Sequence, residues 1–93
     1  WNVLKSKRFE RQLGKLDPQV SKRILEDMES LKLDPLQSFV ADDSRARKLG
    51  LRYIKAAHDW RVFFRIQDKN VLVEFLWHRE SAYDEMRRFL SIH

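Results

Sequence analysis

Apolar positions in the first third of the chain recur with a helical period. Phe9, Leu13 and Leu16 follow Ser6, which is placed to cap a helix that Gly14 would close. Asp17-Pro18 restarts the pattern, with Asp as N-cap and Pro at the first helical position, where its missing N–H costs nothing. Val20, Ile24, Met28 and Leu31 form the next stripe, widened by Leu25, while Lys22, Arg23, Glu26, Asp27 and Glu29 take the opposite, solvated side. Leu33-Asp34-Pro35 ends it, because the residue before proline resists the α region. Helices joined this tightly predict an antiparallel helical hairpin.

In the second half the period shortens to that of strands. Residues 60–66 and 71–77 are apolar runs rich in Val, Phe and Trp, set around the polar Gln67-Asp68-Lys69-Asn70. Strand-forming runs flanking Asp and Asn predict a β-hairpin. An even loop places Trp60, Val62, Phe64 and Ile66 on one face with Val71, Val73, Phe75 and Trp77, a floor for the helices. Arg61, Phe63 and Arg65 then share the other face with Leu72, Glu74, Leu76 and His78. That face reads as either a solvated back or a binding surface.

The remaining segments complete the order. Residues 1–5 predict a short edge strand, and residues 51–57 another strand, with Leu51, Tyr53 and Lys55 facing away from Arg52, Ile54 and Ala56. Residues 36–48 read as a long connection, polar apart from Phe39 and Val40. Ser81 is placed to cap a terminal helix over 82–90, with Asp84 and Glu85 in its first turn and Tyr83, Met86, Phe89 and Leu90 on its apolar side. The expected fold class is α+β: one small domain spanning 1–93 in the order β-α-α-β-β-β-α. A helical hairpin packs on a mainly antiparallel sheet, and a short helix ends the chain.

Composition narrows the function classes. Ninety-three residues, 43% of them hydrophobic, leave room for one core. No apolar run approaches membrane-spanning length and no signal-peptide pattern opens the chain, whose first residue, Trp1, implies that an initiator Met has been lost. Without cysteine there is no disulfide or thiolate metal site, so a cytoplasmic protein stabilised by packing is expected. The net charge of +5 favours a polyanionic partner, and its distribution is more telling than its total. Between residues 45 and 65 stand seven basic residues (Arg45, Arg47, Lys48, Arg52, Lys55, Arg61 and Arg65) against one acid, Asp59.

This order of elements carries several short words: Leu16-Asp17-Pro18, Leu31-Lys32-Leu33-Asp34-Pro35, Leu49-Gly50-Leu51-Arg52, Trp60-Arg61-Val62-Phe63-Phe64 and His78-Arg79-Glu80-Ser81-Ala82-Tyr83. Together, over nearly the whole chain, they resemble the RelE/ParE superfamily of bacterial toxins from toxin–antitoxin pairs. The resemblance implies one of two activities. RelE-branch members are metal-free endoribonucleases, mRNA interferases that cut message on the ribosome and are blocked by a cognate antitoxin. ParE-branch members share the fold but inhibit DNA gyrase. Neither implies a cofactor or a membrane partner.

RNA cleavage without a metal turns the 2′-OH into an internal nucleophile. It needs a proton acceptor, cations for the charge developing on phosphorus, and an acid for the leaving 5′ oxygen. Arginine suits the cationic role, since its guanidinium stays charged and can bind two phosphate oxygens. The resemblance points to Arg61 for phosphate binding, Arg79 for transition-state stabilisation and Tyr83 for proton transfer or base stacking. His78 is added because parity puts it beside Arg61 and an imidazole titrates near neutrality. Each has a plainer reading that the sequence leaves open: a surface arginine, a helix-flanking charge, a core tyrosine, a structural histidine. Arg45, Arg47, Lys48, Arg52, Lys55 and Arg65 are candidate RNA- or phosphate-binding residues. The lysine pair at alternating positions in the best-known branch is not reproduced, because Arg52 and Lys55 stand three apart and face opposite ways on a regular strand. His58 beside Asp59 reads as exposed and inert, and His93 resembles the terminal histidines of some relatives. Scattered histidines make no metal-ligand motif.

Overall fold

The computed structural model describes residues 1–92, apart from the side chains of Tyr83 and Ile92. Chain order runs β1 (Asn2–Lys5), α1 (Lys7–Gly14), α2 (Pro18–Asp27), α3 (Ser30–Leu33), β2 (Phe39–Val40), α4 (Ser44–Lys48), β3 (Arg52–Ala56), β4 (Trp60–Gln67), β5 (Asn70–His78) and α5 (Ala82–Ile92). The strands form one five-stranded sheet in the order β1-β5-β4-β3-β2. β1 lies parallel to β5 and every other pairing is antiparallel. The α+β fold is as expected, with more helix breaks and one more strand than periodicity suggests.

Helix punctuation follows the capping residues. Ser6 Oγ accepts the Phe9 N–H at 3.0 Å, and Asp17 Oδ1 accepts the Gln19 N–H at 2.8 Å ahead of Pro18. The stripe expected in one second helix is split between α2 and α3. At the break the ladder tightens to Glu29 N–H donating to Glu26 O, and Ser30 Oγ donates to Asp27 O at 3.1 Å, a local competitor to helix bonding. Ile24, Met28 and Leu31 stay buried across it. The connection over 36–48 is not structureless: β2 pairs with β3, and Asp43 caps α4 by accepting the Arg45 and Ala46 N–H groups.

The hairpin departs from simple parity. Gln67 pairs with Asn70, leaving a two-residue loop whose Asp68 has φ 57°, and Phe64 pairs with Val73 as an even loop requires. Phe63 then pairs with Phe75, so Glu74 is an extra residue in β5, a β-bulge. Beyond it every β5 side chain changes face. Phe75 and Trp77 join Phe63 and Arg61; Leu76 and His78 join Val62 and Trp60. This corrects the expected floor, and the reason is tertiary. Ser6 Oγ donates to Glu74 O at 2.6 Å, Gln12 Oε1 accepts the Leu76 N–H at 2.7 Å, and Arg65 Nε and Nη2 both reach Glu74 Oε1 at 3.1 and 2.9 Å. The Glu74 carbonyl and the Leu76 N–H, beyond the end of β1 on that edge of β5, are thus paired from α1 and its cap, and the Glu74 carboxylate from Arg65 on β4.

The bulge builds two apolar clusters where one core was expected. On one face Phe9, Ile24, Met28 and Leu31 of α1–α3 meet Val62, Phe64, Val71, Val73 and Leu76. On the other, Ala46 of α4 and Ala82, Met86, Phe89 and Leu90 of α5 gather with Phe63, Phe75 and Trp77. The second face is therefore neither bare nor uniform. α5 covers the β5 end, while towards β2 Lys55 and Phe39 remain exposed.

Candidate functional site

Cross-strand pairing assembles the uncovered part of that face. Lys55 stands directly opposite Arg61, Tyr53 opposite Phe63 and Phe39 opposite Tyr53, so all five side chains share one face. Their rings form a row: Phe39 stacks on Tyr53 with centroids 5.2 Å apart and planes 20° off parallel, and Tyr53 lies 5.3 Å from Phe63. Lys55 Nζ sits 5.1 Å from the Phe39 centroid and Arg61 Cζ 4.9 Å from that of Tyr53. Two cations opposite each other on a sheet repel. Their contacts with the negative ring faces offset part of that cost. Among the described residues, no carboxylate lies within ion-pair distance of Lys55 or Arg61. The repulsion is left for an anion to relieve.

Arg79 reaches the same place from the end of β5. It lines one pocket with Arg61, Tyr53 and Phe63, closed by Ala41 and Asp42 on one side and Ala82 and Met86 on the other. Its anchor is the β3–β4 turn. The Arg79 N–H donates to Asp59 O at 2.8 Å, and its Nε lies 3.3 Å from Asp59 Oδ1. The turn is strained: Ala57 and His58 hold φ of 46° and 65°, a region that residues other than glycine rarely occupy. The Asp59 N–H donates to Ala57 O at 2.7 Å, and the Ala57 N–H donates to Asp27 Oδ2 at 2.8 Å, which ties the turn to α2.

His58 is exposed, as expected, and its Nδ1 lies 3.0 Å from Asp59 Oδ1. That hydrogen bond is the main cause holding the Asp59 carboxyl below its ordinary value; partial burial opposes it, and the charges of Arg79, His58 and His78 add to it. A carboxyl lowered in the folded state contributes stability that is fully present above its unfolded value and lost as pH falls through the folded one. The expected result is that a carbon-13 NMR titration of the Asp59 carboxyl gives a midpoint below 3.8. A midpoint at or above that value would mean that Arg79 and His58 are not held there.

The remaining candidates separate from the pocket. His78, expected beside Arg61, pairs with Trp60 on the opposite face and meets its ring edge-on at 5.2 Å; the bulge at Glu74 moved it. Arg52 pairs with Phe64, facing away from Lys55 as its spacing implied, and donates from Nε to Ser38 Oγ at 2.8 Å and from Nη2 to Leu36 O at 3.1 Å. Arg65 spends its guanidinium on Glu74. On α4, Arg45 lies 3.6 Å from Asp43 and Arg47 donates to Asp42 O at 2.7 Å, while Lys48 is exposed. The Tyr83 side chain and His93 lie outside the described residues. Among the described residues no three His, Asp or Glu side chains gather where a metal could bind, and no helix is long and apolar enough to cross a membrane. Sequence reasoning overlooked Tyr53 and Phe39 as members of the site. The alternation of Tyr53 with Lys55 was a usable signal, but nothing in the sequence pairs Phe39 with either.

Comparison with known proteins gives two kinds of match. A sequence model described as the ParE toxin of the type II toxin–antitoxin system parDE matches residues 3–83. Among solved structures, the toxin–antitoxin complex RelBE2 from Mycobacterium tuberculosis superposes with a TM-score of 0.72 at 23% identity, over 85% of this chain and 91% of that one. The intact RelBE complex of E. coli gives 0.62 at 16% identity, over 84% and 95%. The RelB–RelE complex of Methanococcus jannaschii gives 0.62 at 19%, over 89% and 98%. Likeness at these identities establishes the fold. No curated protein sequence matches the chain.

Proposed function

The chain belongs to the ParE toxin family of type II toxin–antitoxin systems, within the RelE/ParE superfamily, and we propose that it is a metal-independent endoribonuclease that cuts mRNA on the ribosome and so inhibits translation. One observation carries this reading: Arg61 and Arg79 line a single pocket, and Lys55, directly opposite Arg61, has no acidic partner among the described residues. A site of this kind concentrates positive charge where a bridging phosphate gains negative charge during cleavage.

Each residue takes a step its position allows. Arg61, held over Tyr53, binds the non-bridging oxygens of the scissile phosphate with its planar fork. Lys55 neutralises the same phosphate from across the strand pair. Arg79, oriented by Asp59, stabilises the charge that grows as the 2′ oxygen attacks phosphorus. Attack forms the 2′-O–P bond of a 2′,3′-cyclic phosphate as the 2′-OH gives its proton to a carrier, and breaks the P–O5′ bond, the 5′ oxygen leaving as a hydroxyl with a proton from the same carrier. Tyr83, which follows the pocket residue Ala82 in α5, is the proton carrier in this scheme; His78, facing the other way, has no part in it. Arg45, Arg47 and Lys48 on α4 track the backbone further along. A cognate antitoxin, like those in the related complexes, is the proposed protein partner.

The matching family model favours a second reading, inhibition of DNA gyrase, in which the same basic face holds a partner without chemistry. A cell-free translation extract separates the two. Purified toxin is expected to arrest synthesis and to shorten the message; arrest with full-length message would contradict the nuclease reading. Loss of gyrase supercoiling in a parallel assay would then support the second.

A further inference from the structure

The exposed end of the ring row has no role in holding phosphate. Phe39 is 50% exposed although its ring stacks on Tyr53, and it sits on an edge strand of only two residues. Its ring stacks against that of Tyr53 on the neighbouring strand and has Lys55 Nζ 5.1 Å from its centroid. It also lies two strands and two residues of register away from Arg61, roughly 12 Å between Cα atoms at ordinary strand spacing and rise. That is the scale separating a bound phosphate from the base of a neighbouring nucleotide.

Resting on the nuclease reading above, we infer that Phe39 and Tyr53 form a base-stacking subsite, which takes one unpaired nucleobase beside the phosphate held by Arg61. Every base has a π face, so such a platform fixes where the strand sits with little demand on which base it carries. Lys55 lies between the two positions in a single role for both: its ammonium contacts the Phe39 ring and faces the phosphate-side guanidinium across the strand pair. The chemistry recognised is a single-stranded RNA dinucleotide step, base on the rings and phosphate on the arginine. A protein strand added to the β2 edge is the competing occupant. The cation contacts favour the nucleotide, because an added strand would use the backbone of β2 and has no need of stacked rings.

The test is binding of short single-stranded oligoribonucleotides, each carrying one abasic position, with 2′-O-methyl sugars at every step to prevent cleavage. Wild-type protein is expected to lose about tenfold in affinity at one abasic position and little at its neighbours. Phe39→Leu, which keeps the apolar bulk, is expected to bind the intact strand about tenfold more weakly and to lose the abasic penalty; Phe39→Tyr should keep both. An even response along the wild-type abasic series would overturn the subsite without requiring any variant to fold. Phe39→Leu binding the intact strand as wild type does, while Arg61→Ala loses it, would overturn the subsite alone and mark β2 as a protein-docking edge. If Arg61→Ala also binds normally, the nuclease reading fails with it.

Discussion

Arg61→Ala is expected to lower mRNA cleavage by about 100-fold or more, the cost of removing one well-placed charge donor from a transition state. The arginine stands on β4, the first strand of the hairpin, with its guanidinium over Tyr53, opposite a lysine and without an acidic partner among the described residues. Removing it should cost little stability: about 0.5–1 kcal/mol of cation–π contact is lost, and the repulsion with Lys55 is relieved. The unfolding midpoint should therefore stay close to wild type while cleavage collapses. Arg61→Lys retains charge but not the two-pronged geometry, so it should recover only part of the rate. Cleavage by purified Arg61→Ala at the wild-type rate would remove Arg61 from the site.

Phe75→Ala is expected to destabilise the protein by about 3–5 kcal/mol, as truncation of a fully buried phenylalanine does. Phe75 is 0% exposed, stacks on Trp77 with centroids 3.7 Å apart, and lies 4.9 Å from Phe63 and 4.7 Å from Phe89. A domain of this size has about 5–15 kcal/mol in total, so the variant should be close to unfolding at physiological temperature. Urea denaturation measures the loss, and a double-mutant cycle identifies its cause. Because the bulge turns Phe75 towards α5, its truncation should couple with Phe89→Ala by at least about 0.5 kcal/mol and add independently with Phe9→Ala, which lies across the sheet. Coupling to Phe9 instead would restore the parity that the sequence alone suggests.

The parts of the fold legible in the sequence are those fixed by neighbours along the chain. Asp17-Pro18 ahead of a helical stripe marks a helix start, the stripe Ile24, Met28 and Leu31 announces a buried helix face, and Asp68-Lys69 between two apolar runs announces a hairpin. Faces fixed from a distance were hidden. Glu74 continues an apparently regular alternation from Val71 to Trp77, and only Ser6 and Gln12, more than sixty residues away, make an extra residue there affordable. His78 changed sides for that reason. β2 was hidden because two residues carry no period, and with it went the stack of Phe39 on Tyr53. Arg61 and Lys55 were each named from sequence, yet their direct opposition depends on a three-residue turn whose positive φ angles at Ala57 and His58 no composition rule would have suggested. The same turn places Arg79 as well, through Asp59.

The most direct measurement is chemical mapping of the RNA ends left in a translating extract after treatment with purified toxin. The expected ends are 5′-hydroxyl and 2′,3′-cyclic phosphate, absent when the Arg61→Ala, Arg79→Ala double variant replaces wild type. Uncut message, or cuts leaving 5′-phosphate ends, would contradict a metal-free cleavage site built on Arg61 and Arg79.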